Sequence, residues 1–214
     1  DQAVEAAKRA AETRMQAGFL NACLRRYLRE APALLEQARK DPEALWNHPG
    51  WWIQRLQADH PKEWMSILAA NDQPGPMVLR VNRRRVTRDA YCEQLAAQGI
   101  EARALGEDGL LLSVPQPVDR LPGFDQGLCS VQDGAAQLAA GLLLGGRSWR
   151  SGDRVLDACA APGGKTAHLL ERADLDLLAL DVDSRRCERI HQNLQRLGLQ
   201  AEVRATDAGD PPNW

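Results

Sequence analysis

The sequence predicts an α/β protein in three parts: an N-terminal helical segment, a small α/β region and a truncated Rossmann-like sheet. Three observations support this prediction. Apolar residues between Leu20 and Leu28 recur at helical spacing. Short apolar runs separated by turn residues begin at Met77, which is typical of strands. From Arg154 the pattern alternates strand, helix, strand, helix, strand, and connections this short imply right-handed crossovers in a parallel sheet.

The composition is that of a globular protein. Of the 214 residues, 44% are hydrophobic and 26% are charged, and the net charge is −2. The best apolar run, Leu138 to Leu144, is far below the roughly 18 residues that a membrane span needs. No secretory leader opens the sequence. Because neither sign of charge dominates, any nucleic-acid contact must come from a local patch.

Cysteine and histidine indicate no metal site. The five cysteines are widely spaced without a Cys-x-x-Cys pair, and the four histidines show no ligand spacing with them. An odd number of cysteines fits a reducing cytosol. We therefore expect a cytoplasmic protein that binds no metal and no membrane.

Proline, glycine and capping residues divide the first two parts into elements. Pro32 punctuates the helical segment, and four tryptophans between Trp46 and Trp64 are expected to fill a small helical core. After a break at Pro74, strands are predicted over 77–82, 100–105, 110–114 and 128–131. Helices are predicted from a Thr87 cap to residue 98 and over 133–144.

The third part has the pattern of a parallel sheet. A strand opens at Val155, and a helix over 165–172, a strand over 177–180, a helix capped by Ser184 and a strand over 201–205 follow. The continuous apolar character of 177–180 predicts a strand covered on both faces. A doubly wound sheet normally has more than three strands, so we expect this domain to be incomplete.

One ten-residue segment, Asp-Ala-Cys-Ala-Ala-Pro-Gly-Gly-Lys-Thr over 157–166, carries the chemistry. It leaves a predicted strand and enters a helix, where doubly wound folds bind ligands. A phosphate-binding P-loop requires glycine where Cys159 stands, and a dinucleotide fold requires spaced glycines where Gly163 and Gly164 are adjacent. The third interpretation is a nucleoside ligand without a pyrophosphate, such as S-adenosylmethionine.

Two carboxylates favour the third interpretation. Asp181 ends the second strand of this part, where a carboxylate can accept from both ribose hydroxyls. Asp207 follows the third strand, where it can accept from an adenine amino group. Each acid also has a plainer explanation, a helix cap for Asp181 and a turn residue for Asp207. Two acids after successive strands, following adjacent glycines, are stronger evidence of a cofactor site than either alone.

The ten-residue segment resembles the S-adenosylmethionine motif of the RNA (cytosine-C5)-methyltransferases. Further blocks similar to that family extend over nearly the whole chain. They are Asn21-x-x-Leu24-Arg25, His48-Pro49-x-Trp51, Leu79-Arg80-Val81-Asn82, Leu121-Pro122-Gly123-Phe124, Val131-Gln132-Asp133-x-Ala135-x-Gln137, Leu180-Asp181-Val182-Asp183 and Asn193-Leu194-x-Arg196-Leu197-Gly198. The resemblance implies S-adenosylmethionine as cofactor, 16S ribosomal RNA as partner, and a monomer in the full-length protein.

The resemblance also implies a division into domains. Residues 1–60 are similar to the end of a NusB-like helical domain with a helical linker, residues 61–145 to a small α/β RNA-binding region, and residues 146–214 to the first half of a class I methyltransferase domain. Carried over residue by residue, the cofactor-binding positions are Cys159, Ala160, Ala161, Pro162, Gly163, Gly164, Lys165, Asp181 and Asp207.

The nucleophile of this chemistry is expected outside the chain. In the family that the sequence resembles, a cysteine thiolate attacks C6 of cytosine so that C5 can accept a methyl group. The family's Asp-Ala-Pro-Cys and Thr-Cys-Ser blocks do not occur in these 214 residues. Cys159 matches a cofactor-loop position, and Cys187 lies on a predicted helix. We expect no catalytic residue in this chain, and no methylation by the chain alone.

RNA contact has one candidate surface in the sequence, five arginines within nine residues. They are Arg80, Arg83, Arg84, Arg85 and Arg88. They stand at a predicted strand end and the following turn, where they can reach phosphates, although a solvated turn face has the same composition. A rival hypothesis is a non-catalytic RNA-binding scaffold with a vestigial nucleotide-binding fold.

Overall fold

The computed structural model describes residues 2–146 and 148–209. The chain divides into two compact units, Asp1–Pro74 and Gly75–Trp214, and each is described by itself. The small antiparallel sheet and the parallel sheet belong to the same unit. The mixed α/β class predicted from the sequence is confirmed. The division at residues 60 and 145 stays a prediction.

The first unit is helical. Its helices are α1 (Gln2–Arg9), α2 (Ala17–Ala38), α3 (Pro42–Trp46), α4 (Gly50–Asp59) and α5 (Trp64–Asn71). Pro32 lies inside α2 and the helix continues past it, so the break predicted at Pro32 is wrong. Proline lacks an N–H donor and its ring crowds the carbonyl four residues earlier, which costs stability but does not end this long helix.

Three of the four tryptophans support the helical core of the first unit. Trp46, Trp52 and Trp64 pack against a buried cluster formed by α4 and α5. The rings of Trp46 and Trp64 meet edge to face, with centroids 5.2 Å apart. Trp51 is 68% exposed, so it differs from the expectation that all four fill the core.

The second unit opens with an antiparallel sheet. Its strands are β1 (Val78–Val81), β2 (Ala102–Leu105), β3 (Gly109–Leu112) and β4 (Cys129–Val131), in the order β2-β3-β1-β4. Helix α6 (Arg88–Ala97) is capped by Thr87, as predicted: the Thr87 side chain accepts a hydrogen bond from the Ala90 amide. Leu79, Val81, Leu110 and Leu112 form a buried core with Tyr91 and Leu95 of α6.

The same unit continues into the parallel sheet. Helix α7 (Gly134–Leu144) precedes β5 (Asp153–Asp157), α8 (Gly164–Arg172), β6 (Leu175–Asp181), α9 (Ser184–Leu197) and β7 (Glu202–Ala205). The strand order is β5-β6-β7, with parallel pairing throughout. The carboxyl ends of the three strands therefore meet at one edge of the sheet, which positions the candidate site.

One predicted cap differs in detail. Asp183, not Ser184, caps α9, and its carboxylate accepts a hydrogen bond from the Arg185 amide at 2.8 Å. Both residue types are good N-caps, and the shift by one residue makes Ser184 the first residue of the helix.

Two searches of the described residues gave negative results. Among residues 2–146 and 148–209, no helix is long and apolar enough to cross a membrane. No group of three or more histidine, cysteine or acidic side chains in this part of the chain is arranged to hold a metal ion.

Candidate functional site

The candidate site is centred on residues 159–165, which follow β5 and include the first two residues of α8; we call them the glycine loop. Gly163 occupies the N-cap position of α8 with φ at 95°, in the left-handed region that favours glycine. A Cβ atom at Gly163 would lie 3.2 Å from Cγ2 of Ile190 in α9. Glycine is therefore needed at this position for both backbone conformation and close packing.

Asp181 ties the glycine loop to the end of β6. Its side chain is buried, 4% exposed, and its Oδ2 accepts a hydrogen bond from the Ala161 amide at 3.2 Å. Its Oδ1 accepts from the Asp183 amide at 3.2 Å and lies 3.3 Å from Nη1 of Arg186. Because each carboxylate oxygen has two lone pairs, these contacts leave capacity to accept further hydrogen bonds.

Asp207 follows the carboxyl end of β7, the strand that pairs with β6, which ends at Asp181. Its side chain is exposed, and Oδ1 accepts from the Gly209 amide at 2.8 Å, which is the turn contact expected of an acid at this position. The Thr206 amide donates to the Asp181 carbonyl, so the backbone holds the two acidic strand ends side by side.

Three further side chains fix the glycine loop, and the sequence reasoning did not assign roles to them. Thr166 donates to Oδ2 of Asp157 at 2.6 Å, which links the start of α8 to the end of β5. Asn193 donates to the Pro162 carbonyl at 2.8 Å, and Arg186 donates to the Ala161 carbonyl at 3.2 Å. Asn193 and Arg186 project from α9, so no local sequence signal indicates these contacts.

The other loop positions differ in their exposure. Ala160 is buried, whereas Cys159 and Lys165 are exposed. Cys187 is buried in α9, and burial raises the pKa of its thiol. Neither cysteine belongs to an acid–base pair in the described contacts, and the location of the nucleophile outside the chain stays a prediction.

The position of Arg80 corrects the predicted RNA-binding surface. Its side chain is fully buried, with Nε and Nη2 each donating to one oxygen of Glu171 at 2.8 Å. Nη1 donates to Oε1 of Gln132 and to the Gly164 carbonyl, both at 2.7 Å. Arg80 is therefore unavailable to RNA. The prediction was wrong for this residue because the face of β1 that carries it is covered by α8.

Two of the other arginines cap helices. Arg84 donates to the Ala173 carbonyl at 3.0 Å, just after α8. Arg85 donates to the Leu197 carbonyl through two nitrogen atoms, at 3.2 and 3.0 Å, and to the Gln126 carbonyl. A cation at the carboxyl end of a helix satisfies free carbonyls and complements the helix dipole. Arg84 and Arg85 are exposed, so RNA contact stays a prediction for them.

The two remaining arginines of the cluster lie nearer to solvent. The Arg83 side chain is 49% exposed, and its Nε is 3.5 Å from Oδ1 of Asp108. Arg88 donates to the Gly106 carbonyl and pairs with the exposed Asp89. Both contacts leave part of the guanidinium accessible, so RNA binding by Arg83 and Arg88 also stays a prediction.

A buried polar cluster joins α8 to the turn between β2 and β3. Nε2 of His168 is 3.1 Å from Oδ2 of Asp108, and Arg172 contacts both Asp108 and Glu107. Burial lowers the pKa of His168 to about 4, and Asp108 only partly opposes this shift. His168 is therefore neutral at pH 7, with Nε2–H donating to Asp108. Its Nδ1 is buried and has no hydrogen-bond partner among the described residues.

Two family models match the chain. The model described as RsmF/B-like methyltransferase, ferredoxin-like domain, matches residues 48–119. The model described as 16S rRNA methyltransferase RsmB/F matches residues 148–214 and therefore includes the glycine loop.

Relatives match over most of the chain. Ribosomal RNA small subunit methyltransferase B of Pseudomonas syringae pv. tomato is 48% identical over 201 residues, covering 92% of this chain and 44% of that protein. The protein of the same name from Vibrio cholerae is 44% identical over 200 residues, covering 92% and 45%. The chain thus spans less than half the length of these relatives.

Solved structures share the fold. The crystal structure of PH0851 has a TM-score of 0.67 and 26% identity, covering 79% of this chain and 39% of that one. A methyltransferase homolog protein from Pyrococcus horikoshii has a TM-score of 0.63 and 25% identity, covering 78% and 55%.

The parallel sheet with a glycine loop at its carboxyl edge is the fold of a Rossmann-like methyltransferase segment. With the two family matches and the relatives that share nearly half of its residues, the chain belongs to the RsmB/F family of methyltransferases.

The buried histidine predicts a specific pH dependence of stability. The pKa of His168 is about 4 in the folded chain and near 6.5 when unfolded, so the unfolded state binds more protons between these values. The stability contribution of neutral His168 is complete above pH 6.5 and is lost as the pH falls towards 4. We expect a loss of up to about 3 kcal/mol in the free energy of unfolding, measured by urea denaturation.

His168→Gln is the matched control for this prediction, because glutamine can still donate to Asp108 but does not titrate. The difference in unfolding free energy between the two proteins should change between pH 6.5 and 4 and stay constant above pH 7. Parallel pH profiles would show that His168 does not titrate across this range.

Proposed function

We propose that the chain is the cofactor-binding and RNA-contacting segment of an S-adenosylmethionine-dependent enzyme that methylates C5 of cytosine in 16S rRNA. The observation that carries this proposal is the pairing of buried Asp181 with the glycine loop, through the Ala161 amide. This pairing holds the Asp181 carboxylate at the carboxyl end of β6, beside the start of α8. The family matches and the names of the relatives support an rRNA substrate.

The residues at the site fit a nucleoside cofactor without a pyrophosphate. Gly163 packs closely against α9, where a Cβ atom would lie 3.2 Å from Cγ2 of Ile190, and the first amides of α8 have no intrahelical partner. Oδ2 of Asp181 keeps one lone pair that can accept from a ribose hydroxyl, and release of the half-exposed Arg186 side chain would free a lone pair on Oδ1 for the second hydroxyl. Asp207 can accept from the adenine amino group. When bound, S-adenosylmethionine supplies an electrophilic methyl group.

The covalent step requires a thiolate that we place outside these 214 residues. In the proposed reaction, a cysteine thiolate would add to C6 of cytosine, and C5 would then attack the methyl group that the bound cofactor supplies, leaving the cofactor as a neutral thioether. A base then removes the C5 proton, and elimination restores the thiolate and the C5–C6 double bond. The target base must leave its stack to be reached. This chain contributes binding and orientation to that sequence.

The proposed protein is a cytoplasmic monomer that binds no metal. A second candidate function is an RNA-binding scaffold whose cofactor fold is vestigial. The hydrogen bond between buried Asp181 and the Ala161 amide supports a cofactor-binding site over a vestigial one. The two functions differ in one measurable property, which is cofactor binding.

Isothermal titration calorimetry of the full-length protein that carries this chain tests cofactor binding. We expect S-adenosylmethionine to bind, and Asp181→Asn to weaken binding by about tenfold or more, since hydrogen bonds to a charged acceptor contribute about 1.5–3 kcal/mol. Asp176→Asn, an exposed acid on the same strand, is the matched control and should bind as the unchanged protein does. Absence of binding heat in the unchanged protein would favour the scaffold.

The 214-residue chain alone should not methylate RNA. A single-turnover assay with labelled S-adenosylmethionine and 16S rRNA fragments should give neither 5-methylcytosine nor a covalent RNA adduct. Full-length protein in parallel provides the positive control. Product or adduct from the short chain would place the nucleophile within it and would contradict the assignment of no catalytic residue.

The exposed arginines can be tested without disturbing helix ends. Arg83→Gln should weaken RNA binding and reduce the slope of log affinity against log salt by about 1, as expected for loss of one phosphate contact. Arg150→Gln removes an arginine whose side chain is 88% exposed and which lies outside the cluster, so it should leave the slope unchanged. Equal slopes for both variants would show that Arg83 belongs to a solvated surface only.

A further inference from the structure

We propose that Arg80 is a positioning residue for the glycine loop. It projects from β1 of the antiparallel sheet, yet Nη1 donates to the carbonyl of Gly164, the first residue of α8, at 2.7 Å. This contact joins the small sheet to the loop that we propose binds the cofactor. The part of this inference that concerns the cofactor rests on the proposed function, and the part that concerns the loop does not.

The contact acts on the end of α8 that faces the candidate site. The Gly164 carbonyl and the Lys165 amide belong to one planar peptide group, so fixing the carbonyl also fixes the direction of the N–H group. That N–H is among the first amides of the helix, which have no intrahelical acceptor and are free for a ligand. Donation from a guanidinium to the carbonyl also polarises the peptide group and strengthens its N–H as a donor.

The guanidinium is itself held in one orientation. Nε and Nη2 form a two-point contact with Glu171, which lies two turns further along α8 than Gly164. Gln132, which directly follows β4, accepts from Nη1 at 2.7 Å. Arg80 therefore contacts α8 at its beginning and near its end, so that the helix cannot shift relative to β1 without breaking a charged contact.

Lysine cannot reproduce this arrangement. An ammonium group carries the same charge and can pair with Glu171, but it lacks the planar fork that reaches Glu171, Gln132 and Gly164 together. Arg80→Lys therefore keeps the buried charge balanced while removing the geometric link to the loop. Arg80→Gln is a poorer test, because it leaves Glu171 buried without a counter-charge.

Arg196→Lys is the matched control. Arg196 is a partly buried arginine that joins α9 to β4 of the small sheet and to the loop before it, where it donates to the carbonyls of Cys129 and Phe124 at 3.0 and 2.6 Å. Its side-chain hydrogen bonds within the described residues go to Phe124, Cys129 and Ser130 and not to residues 159–165. Both variants lose a guanidinium group that links the small sheet to the helices of the parallel sheet. Only Arg80→Lys also loses the contact with Gly164.

The experiment measures backbone amide hydrogen exchange in the glycine loop, together with S-adenosylmethionine affinity and thermal stability, in full-length protein. For Arg80→Lys we expect about tenfold faster exchange of the loop amides and about tenfold weaker cofactor binding. Arg196→Lys should leave both unchanged even where its midpoint of unfolding falls by a similar amount. Unchanged loop exchange in Arg80→Lys, or equal changes in both variants, would overturn the inference.

A double variant, Arg80→Leu with Glu171→Leu, covers the case in which Arg80→Lys fails to fold. It removes the ion pair without leaving an unpaired buried charge, which proteins often tolerate. Faster loop exchange in the folded double variant supports the positioning role, and unchanged exchange overturns it. If the unchanged protein does not bind S-adenosylmethionine, the proposed function fails, while loop exchange still decides the role of Arg80.

Discussion

The buried ion pair between Arg80 and Glu171 is the interaction on which the second unit depends. Both side chains are almost completely excluded from water, 0% and 1% exposed, and they meet through two hydrogen bonds of 2.8 Å. Burial raises the pKa of the Glu171 carboxyl, and Arg80 opposes that rise by stabilising the carboxylate. Removing one partner of such a pair typically costs about 3–5 kcal/mol, because the other charge stays buried. The antiparallel sheet and α8 are thus held in one relative position.

Several other arginines, which are less buried, also link the small sheet and the turn after β1 to the helices of the parallel sheet. Arg84 and Arg85 reach from the turn after β1 to the ends of α8 and α9, and Arg196 reaches back from α9 to the small sheet. Each contact joins a guanidinium to backbone carbonyls at a helix end, in a loop or in a strand. The arginine-rich composition is therefore partly explained by the internal structure of this unit. RNA contact remains a proposal for the arginines that keep an exposed surface.

The sequence predicted local features well where the signal lay within a few residues. The Thr87 cap, the parallel pairing implied by short crossovers and the loop with adjacent glycines between a strand and a helix all follow from local rules. It did not reveal that Arg186 and Asn193 hold the glycine loop from α9, because these contacts join residues far apart in the chain. It also assigned Arg80 to the surface, because arginine is rarely buried unless a partner is present, and that partner is 91 residues away.

The sequence by itself determined the class of fold, the position of the candidate cofactor site and the family resemblance, because each depends on spacing along the chain. The tertiary structure alone decided which arginines serve the fold and which face solvent. Whether a charge is exposed depends on what packs against it, and α8 covers the face of β1 that carries Arg80. A cluster of arginines has the same sequence composition whether its members face solvent or are buried against other elements. Only the distances to Glu171 and Gly164 show that one member of the cluster is buried in contact with α8.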